Sequence, residues 1–274
     1  MKIQYALSTW SFSHYRQVAS LEEELARIRD LGYAVELWNR WPGRESLFAS
    51  SQRASLKVAL AGMEVSLHTG FAYTLAEQQA QIEAASDLGA SVLVVHPDEF
   101  FSNGEESQLD VALCRDVVAY AAERGVRIAL ENGQLAFLER AISTVEGLKF
   151  CLDIGHVYFT REPLSAFLDT LKPHLIHLHL QDILPFAEQD LPHPGPDHYV
   201  PGTGGIPEKD WELLVATLQE IDYHGTAVFE IRPRNPYQTA YQGARYLSPF
   251  MVPTASPRAC CTRDIQKNLQ TGAG

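Results

Sequence analysis

The sequence predicts a single α/β domain folded as a parallel (β/α)8 barrel. Three observations lead there. Short runs rich in aliphatic and β-branched residues alternate with amphipathic stretches over most of the 274 residues. Several of those stretches stop at a glycine, Gly32, Gly89 or Gly125, as helices commonly do. An open doubly wound sheet, the competing fold, would carry a glycine-rich phosphate turn after its first strand; "STWSFSHY" is not one.

The elements follow in order. Strands are predicted at residues 3–9 (IQYALST), 34–38 (AVELW), 64–69 (EVSLHT) and 91–96 (SVLVVH), then at 126–131 (VRIALE), 148–153 (LKFCLD), 174–180 (HLIHLHL) and 226–230 (TAVFE). Between them, "LEEELARIRDLG" places Leu21, Leu25, Ile28 and Leu31 at helical spacing, and "LAEQQAQIEAASDLG" and "QLDVALCRDVVAYAAERG" do the same. Two segments break the rhythm. Residues 183–207 are dense in proline and glycine and too long for an ordinary connection, which marks a functional loop. Beyond the helix at 236–247, which closes the barrel only weakly, neither period persists. The barrel is thus assigned to residues 1–248 and an irregular tail to 249–274.

Composition limits the function. The formal charge is −12, and no lysine- or arginine-rich cluster offsets it, so a nucleic-acid or anionic-lipid partner is disfavoured and a small molecule expected. No apolar stretch approaches the roughly 20 residues of a membrane span, and "MKIQYALSTW" lacks the h-region of a signal peptide; the expectation is a cytoplasmic protein. Cys114, Cys151, Cys260 and Cys261 form no CxxC pair, so neither disulfide stapling nor a thiolate zinc site is expected.

The chemistry sits at the strand ends. From the third predicted strand to the eighth, each run delivers a side chain able to bind a metal at or just beyond its C-terminal end: His68, His96, Glu131, Asp153 with His156, His179 with Asp182, and Glu230. That end of a barrel is where active sites are built. Alternation puts His96 on the face of Val92 and Val94, Glu131 with Arg127 and Ala129, and Glu230 with Val228; if these faces point inward, the ligands meet at the mouth. Clustered carboxylates need a counter-charge to stay ionised. A divalent cation supplies it, and mixed imidazole and carboxylate donors without thiolate suit a catalytic zinc, manganese, cobalt or magnesium ion. Glu131, Asp153, His179 and Glu230 are the expected ligands. A barrel whose buried polar groups merely bond to one another is the alternative.

"VSLHTG", "VVHP", "ALEN", "CLDIGH", "HLHLQD", "DHYVPGTGGIP" and "VFEI" follow in an order and spacing that resembles the xylose isomerase-like TIM barrels, from residue 3 to about 247. That superfamily joins sugar isomerases and epimerases to endonuclease IV-type phosphodiesterases, and its barrels commonly form dimers or tetramers, so a homo-oligomer is possible. The resemblance places Glu131, Asp153, His179 and Glu230 on the shared metal site. His156 and His198 match positions that bind substrate in the isomerases and a further zinc in the nucleases. His68 and His96 match ligands of another nuclease zinc. The nuclease pattern has aspartate two residues before the loop histidine; here Pro196 stands there and Asp197 adjoins His198, which implies an incomplete third site.

Two activities follow. The first is a metal-dependent isomerase or epimerase of a sugar, sugar phosphate or cyclitol, in which Glu131 and Glu230 pass a proton through an enediolate and His156 binds oxygens of the substrate. The alternative is a zinc-dependent phosphodiesterase. Trp10 and His14 after the first strand, Glu36 and Trp38 at the end of the second, and Arg232 after the last are expected to contact substrate. Arg234 is a weaker candidate, and "GTGG" at 202–205 offers backbone N–H groups to an anion or serves as a hinge. Asp182 either orients a metal-bound histidine or caps the turn that follows it, and His177 is expected to be a core histidine one layer below His179.

Overall fold

The computed structural model describes residues 1–13, 19–44, 46–105, 108–160, 162–184, 196–232, 235–251 and 253–254. Eight parallel strands close into a barrel in sequence order. They are β1 (Lys2–Ser8), β2 (Ala34–Trp38), β3 (Val65–His68), β4 (Val92–Val95), β5 (Arg127–Leu130), β6 (Lys149–Asp153), β7 (Leu175–Leu180) and β8 (His224–Phe229). β1 pairs with β2 and with β8, so this sheet has no edge.

A helix follows each strand on the outside: Leu21–Asp30, Ser50–Ala59, Leu75–Leu88, Val111–Ala122, Leu135–Thr144, Leu164–Leu171, Glu208–Glu220 and Pro236–Leu247. Capping boxes start two of them, Ser20 with Glu23 and Thr74 with Glu77. Gly89 ends the third in the left-handed region at φ 78°, where a Cβ would be strained. The last helix is not loosely attached: Tyr237, Ala240, Ala244 and Leu247 are buried on it, and Gly243 lets it approach Phe229. The chain just beyond stays docked too, because Met251 is buried and the Thr254 N–H donates to the Ile3 carbonyl at 2.7 Å.

Alternation along the strands divides the apolar residues into two layers. Ile3, Leu7, Val35, Leu37, Leu67, Leu93, Ile128, Leu152, Leu178 and Phe229 join the large core under the helices. The opposite faces form small separate clusters, Val92, Val94, Ala129 and Cys151 in one and Ala6, Ala34 and Val228 in the other. These line the barrel axis, so the residues continuing the same faces past the strand ends, His96, Glu131 and Glu230, are aimed into the mouth. No described helix is long and apolar enough to cross a membrane.

Candidate metal centre

The side chains expected from the strand ends converge around one ring. His179 is fully buried, and its Nδ1 lies 3.1 Å from Glu131 Oε1, 3.4 Å from Glu230 Oε2 and 3.9 Å from Asp153 Oδ2. Donor atoms of His68, Glu131, His179 and Glu230 all fall within 4.8 Å of one another, as do those of Glu131, Asp153 and His156. Glu131 belongs to both groupings. Its Oε2 faces His68 Nε2 and His96 Nε2, each at 3.5 Å, while Oε1 lies 3.4 Å from His156 Nδ1.

The charges balance through protons. Burial by itself would raise the Glu131 carboxyl, but hydrogen bonds from His156, His179 and His68 outweigh it and hold the group well below the usual carboxylate range. Asp153 goes the other way: burial pushes it up, and the Glu131 charge adds to that. Burial would lower the imidazoles, yet Glu131, Glu230 and Glu36 push His68 up to about 9, and Asp153 and Glu131 push His156 up to about 10. The Glu131 carboxylate thus stays charged beside its imidazole partners. A divalent cation replaces those protons with one charge, and the oxygen and nitrogen donor set fits such an ion.

Supporting groups that the sequence reading missed hold the ligands in place. Gln181 Nε2 donates to Asp153 Oδ2 at 2.6 Å, and its carbonyl oxygen accepts the His198 N–H. A Cβ on Gly155 would come 2.7 Å from Gln181 Cδ, so the glycine of "DIGH" is the space this side chain occupies. Asn132 bonds both the N–H and the carbonyl of Asp153 at 2.8 Å, extending the contact between β5 and β6. Glu99 accepts from His96 Nδ1 at 3.2 Å and from Gln78 at 2.6 Å, fixing which nitrogen of His96 faces Glu131. A Glu three residues after His96 was the only available signal.

The second set of residues differs from expectation in several places. Glu36 does not reach the substrate space: it is fully buried beneath the cluster, with Oε2 2.8 Å from His177 Nε2, which also gives His177 its expected core partner. Asp182 caps a turn and, among the described residues, touches no histidine. Its Oδ1 accepts from Ile183 N and Ile206 N, its Oδ2 from Gly202 N and Gly204 N. The anion bound by "GTGG" is therefore the protein's own carboxylate. Asp197 comes close to His156 and His198 despite its one-residue offset, because His198 adopts φ 61° and turns the chain: Asp197 Oδ2 lies 3.9 Å from His156 Nε2 and 3.7 Å from His198 Nε2. Arg232 Nε donates to Asp197 Oδ1 at 3.0 Å, so this guanidinium is engaged by Asp197.

Aromatic rings wall the mouth. Trp10 packs against His198 with ring centres 4.3 Å apart. Phe71 stacks on His96 at 5.0 Å from a left-handed backbone, φ 61°, and Phe159 lies beside His156 at 5.8 Å; both phenyl rings are exposed. The sequence reading missed Phe71 and Phe159. Arg40 lies over the ring of Trp38 at 5.5 Å. His14, Arg234 and residues 185–195 and 255–274 lie outside the described residues.

Comparison with known proteins adds to this geometry. The family model described as "Xylose isomerase-like TIM barrel" matches residues 25–250. No curated protein sequence matches the chain. Among solved structures, the 3-keto-D-glucoside 4-epimerase YcjR of E. coli is 19% identical with a TM-score of 0.67, over 90% of this chain and all of that one. An IolI protein with a bound zinc atom is 16% identical with a TM-score of 0.71, over 90% of this chain and 99% of that one. A sugar phosphate isomerase/epimerase of Parabacteroides distasonis is 15% identical with a TM-score of 0.68, over 92% and 96%. At these identities the likeness establishes the fold.

Proposed function

The chain belongs to the xylose isomerase-like TIM barrels, and on that premise we propose that it is a divalent-metal-dependent isomerase or epimerase of a sugar, sugar phosphate or cyclitol. The observation that carries the reading is the meeting of Glu131 Oε1 and Glu230 Oε2 at one nitrogen of His179, at 3.1 and 3.4 Å. Glu131, Asp153, His179 and Glu230 would hold the ion. Bound there, it supplies Lewis-acid polarisation of a substrate carbonyl, which acidifies the neighbouring C–H.

The protein's own groups do the rest. Glu131 and Glu230 follow β5 and β8, three strands apart in the ring of eight, so they approach a substrate carbon from different sides. One carboxylate takes the proton next to the carbonyl and the other returns it, which inverts the carbon or moves the carbonyl along the chain. His156 and His198 present ring nitrogens to the same space and bind hydroxyls or the developing oxyanion. Trp10, Phe71 and Phe159 cover the apolar face of a sugar ring and exclude water. A 3-keto-D-glucoside 4-epimerase and a sugar phosphate isomerase/epimerase among the structural neighbours support this direction.

A second reading, hydrolysis of a small phosphodiester with two or more zinc ions, is favoured by one observation: His68 and His96 both turn Nε2 towards Glu131 Oε2 at 3.5 Å. The test is solvent exchange. Incubation with ketoses, ketose phosphates, 3-keto-glycosides and inososes in D2O, with Mn2+ or Zn2+, is expected to wash deuterium into the position beside the carbonyl of at least one of them. No exchange across the panel, together with cleavage of bis(p-nitrophenyl) phosphate, would transfer the assignment to the hydrolase.

A further inference from the structure

Glu36 on β2 is a carboxylate that the reaction does not use. It lies below the mouth, fully buried. Such a group is costly to bury unless donors surround it. Three converge on it. Ser66 Oγ donates to Oε2 at 3.2 Å and His177 Nε2 to the same oxygen at 2.8 Å. The third is His179, whose Nε2 hydrogen-bonds Oε2 at 3.4 Å and lies 3.1 Å from Oε1, an oxygen with no hydrogen-bond partner of its own among the described residues.

The consequence lies on the other side of the His179 ring. A neutral imidazole carries one proton. Both ring nitrogens face carboxylates. With an ion at the mouth the ring would keep one proton, and the carboxylate beside Nε2 would hold it there, leaving the Nδ1 lone pair for the space between Glu131, Glu230 and Asp153. With Nε2 unsatisfied, the proton would move to Nδ1, where Glu131 would accept it, and the nitrogen would no longer be a ligand. His177 sits on the far side of Glu36 and has no partner at Nδ1 among the described residues, so it ends the chain of contacts there.

We infer that Glu36 is a positioning residue for the metal centre: it fixes the ring orientation and tautomer of His179 and so sets the affinity for the ion, although it touches neither ion nor substrate. This rests on the metal-dependent reading above. Partners of this kind behind a ligating histidine commonly change metal affinity by 10- to 100-fold.

The test is titration of Zn2+ alone into chelator-stripped protein, comparing native, E36Q and H177Q chains whose folding has been checked by circular dichroism. The expected result is that E36Q binds about 10- to 100-fold more weakly, whereas H177Q, which leaves the Glu36–His179 contact intact, stays within about threefold of native. Equal binding by E36Q, or an equal loss in H177Q, would overturn the inference, the latter by showing that any disturbance of the buried polar chain is enough. A native chain that binds no zinc would instead overturn the metal-dependent reading, and the inference with it. If E36Q does not fold, the zinc-loaded native protein decides by itself: long-range 1H–15N spectra should show His179 with its proton on Nε2, shifted downfield by the carboxylate. A ring metallated at Nε2 would overturn the inference.

Discussion

Glu131 faces His179 with one carboxylate oxygen, Oε1 3.1 Å from Nδ1, and His68 with the other, Oε2 3.5 Å from Nε2. No other described carboxylate is shared in this way between the inner imidazole and the histidine pair at the ends of β3 and β4. Every chemical reading of the mouth therefore passes through this side chain, and it is the first to test. Glu131→Gln keeps the shape and removes the charge. Deuterium exchange at the substrate carbon is expected to fall by about 10²- to 10⁴-fold or more, measured by NMR at saturating metal. Unchanged exchange would remove Glu131 from the proton transfer.

The number of ions separates the two activities. Elemental analysis of native protein and of a His68→Ala, His96→Ala double variant is expected to give about one ion per chain in both if the isomerase reading is right. Two or three zinc ions in the native protein, with one lost in the variant, would favour hydrolysis.

Stripping the metal should make stability depend on pH in a defined direction. His68 and His156 titrate near 9 and 10 in the folded chain, against about 6.5 for a free imidazole. Groups raised in this way contribute stability that is complete below about pH 6.5 and is lost as pH climbs through 9 to 10. The thermal midpoint of the stripped protein is thus expected to fall between pH 7 and 10. The zinc-loaded protein should stay nearly level there, since the ion replaces the protons. Zinc binding at pH 7 should accordingly release protons, which calorimetry in buffers of different ionisation enthalpy would count.

Asp182 accepts from four backbone N–H groups, those of Ile183, Gly202, Gly204 and Ile206, which have no other acceptor among the described residues. Asp182→Ala leaves them unmet in a half-dry loop. The expected cost is about 3 kcal/mol in chemical denaturation, since each buried unpaired group costs roughly 1–3 kcal/mol and water will reach some of them. KM should also rise, because His198 is carried by the same loop.

Gly155→Ala tests the contact behind Asp153. The added methyl meets Gln181 at 2.7 Å, and the amide that donates to Asp153 must move. Overpacking of this kind costs roughly 1–3 kcal/mol. The informative readout is zinc affinity, which should fall in G155A and recover partly when Gln181 is shortened to Asn.

Much of the molecule was legible in the sequence. The strands fall within a residue or two of the runs read from their β-rich composition, and Gly32, Gly89 and Gly125 all take positive φ at or near helix ends. The residues aimed at the mouth followed from parity alone: Val92 and Val94 lie inside the barrel, so His96 does too. Parity failed at Glu36, which is on the inward face but at the wrong height for a substrate. It failed again at Asp197, whose neighbour His198 leaves the extended conformation that alternation assumes.

The sequence by itself determined which side chains point along the barrel axis and at which end of each strand they stand, because a strand alternates with a period of two whatever it pairs with. The tertiary structure decided who meets whom. That Glu36 backs His179, that Asp182 serves the loop, and that Gln181 fills the place left by Gly155 depend on the stagger between strands far apart in the chain. Closing eight strands fixes that stagger once for the whole ring, and no single strand carries it.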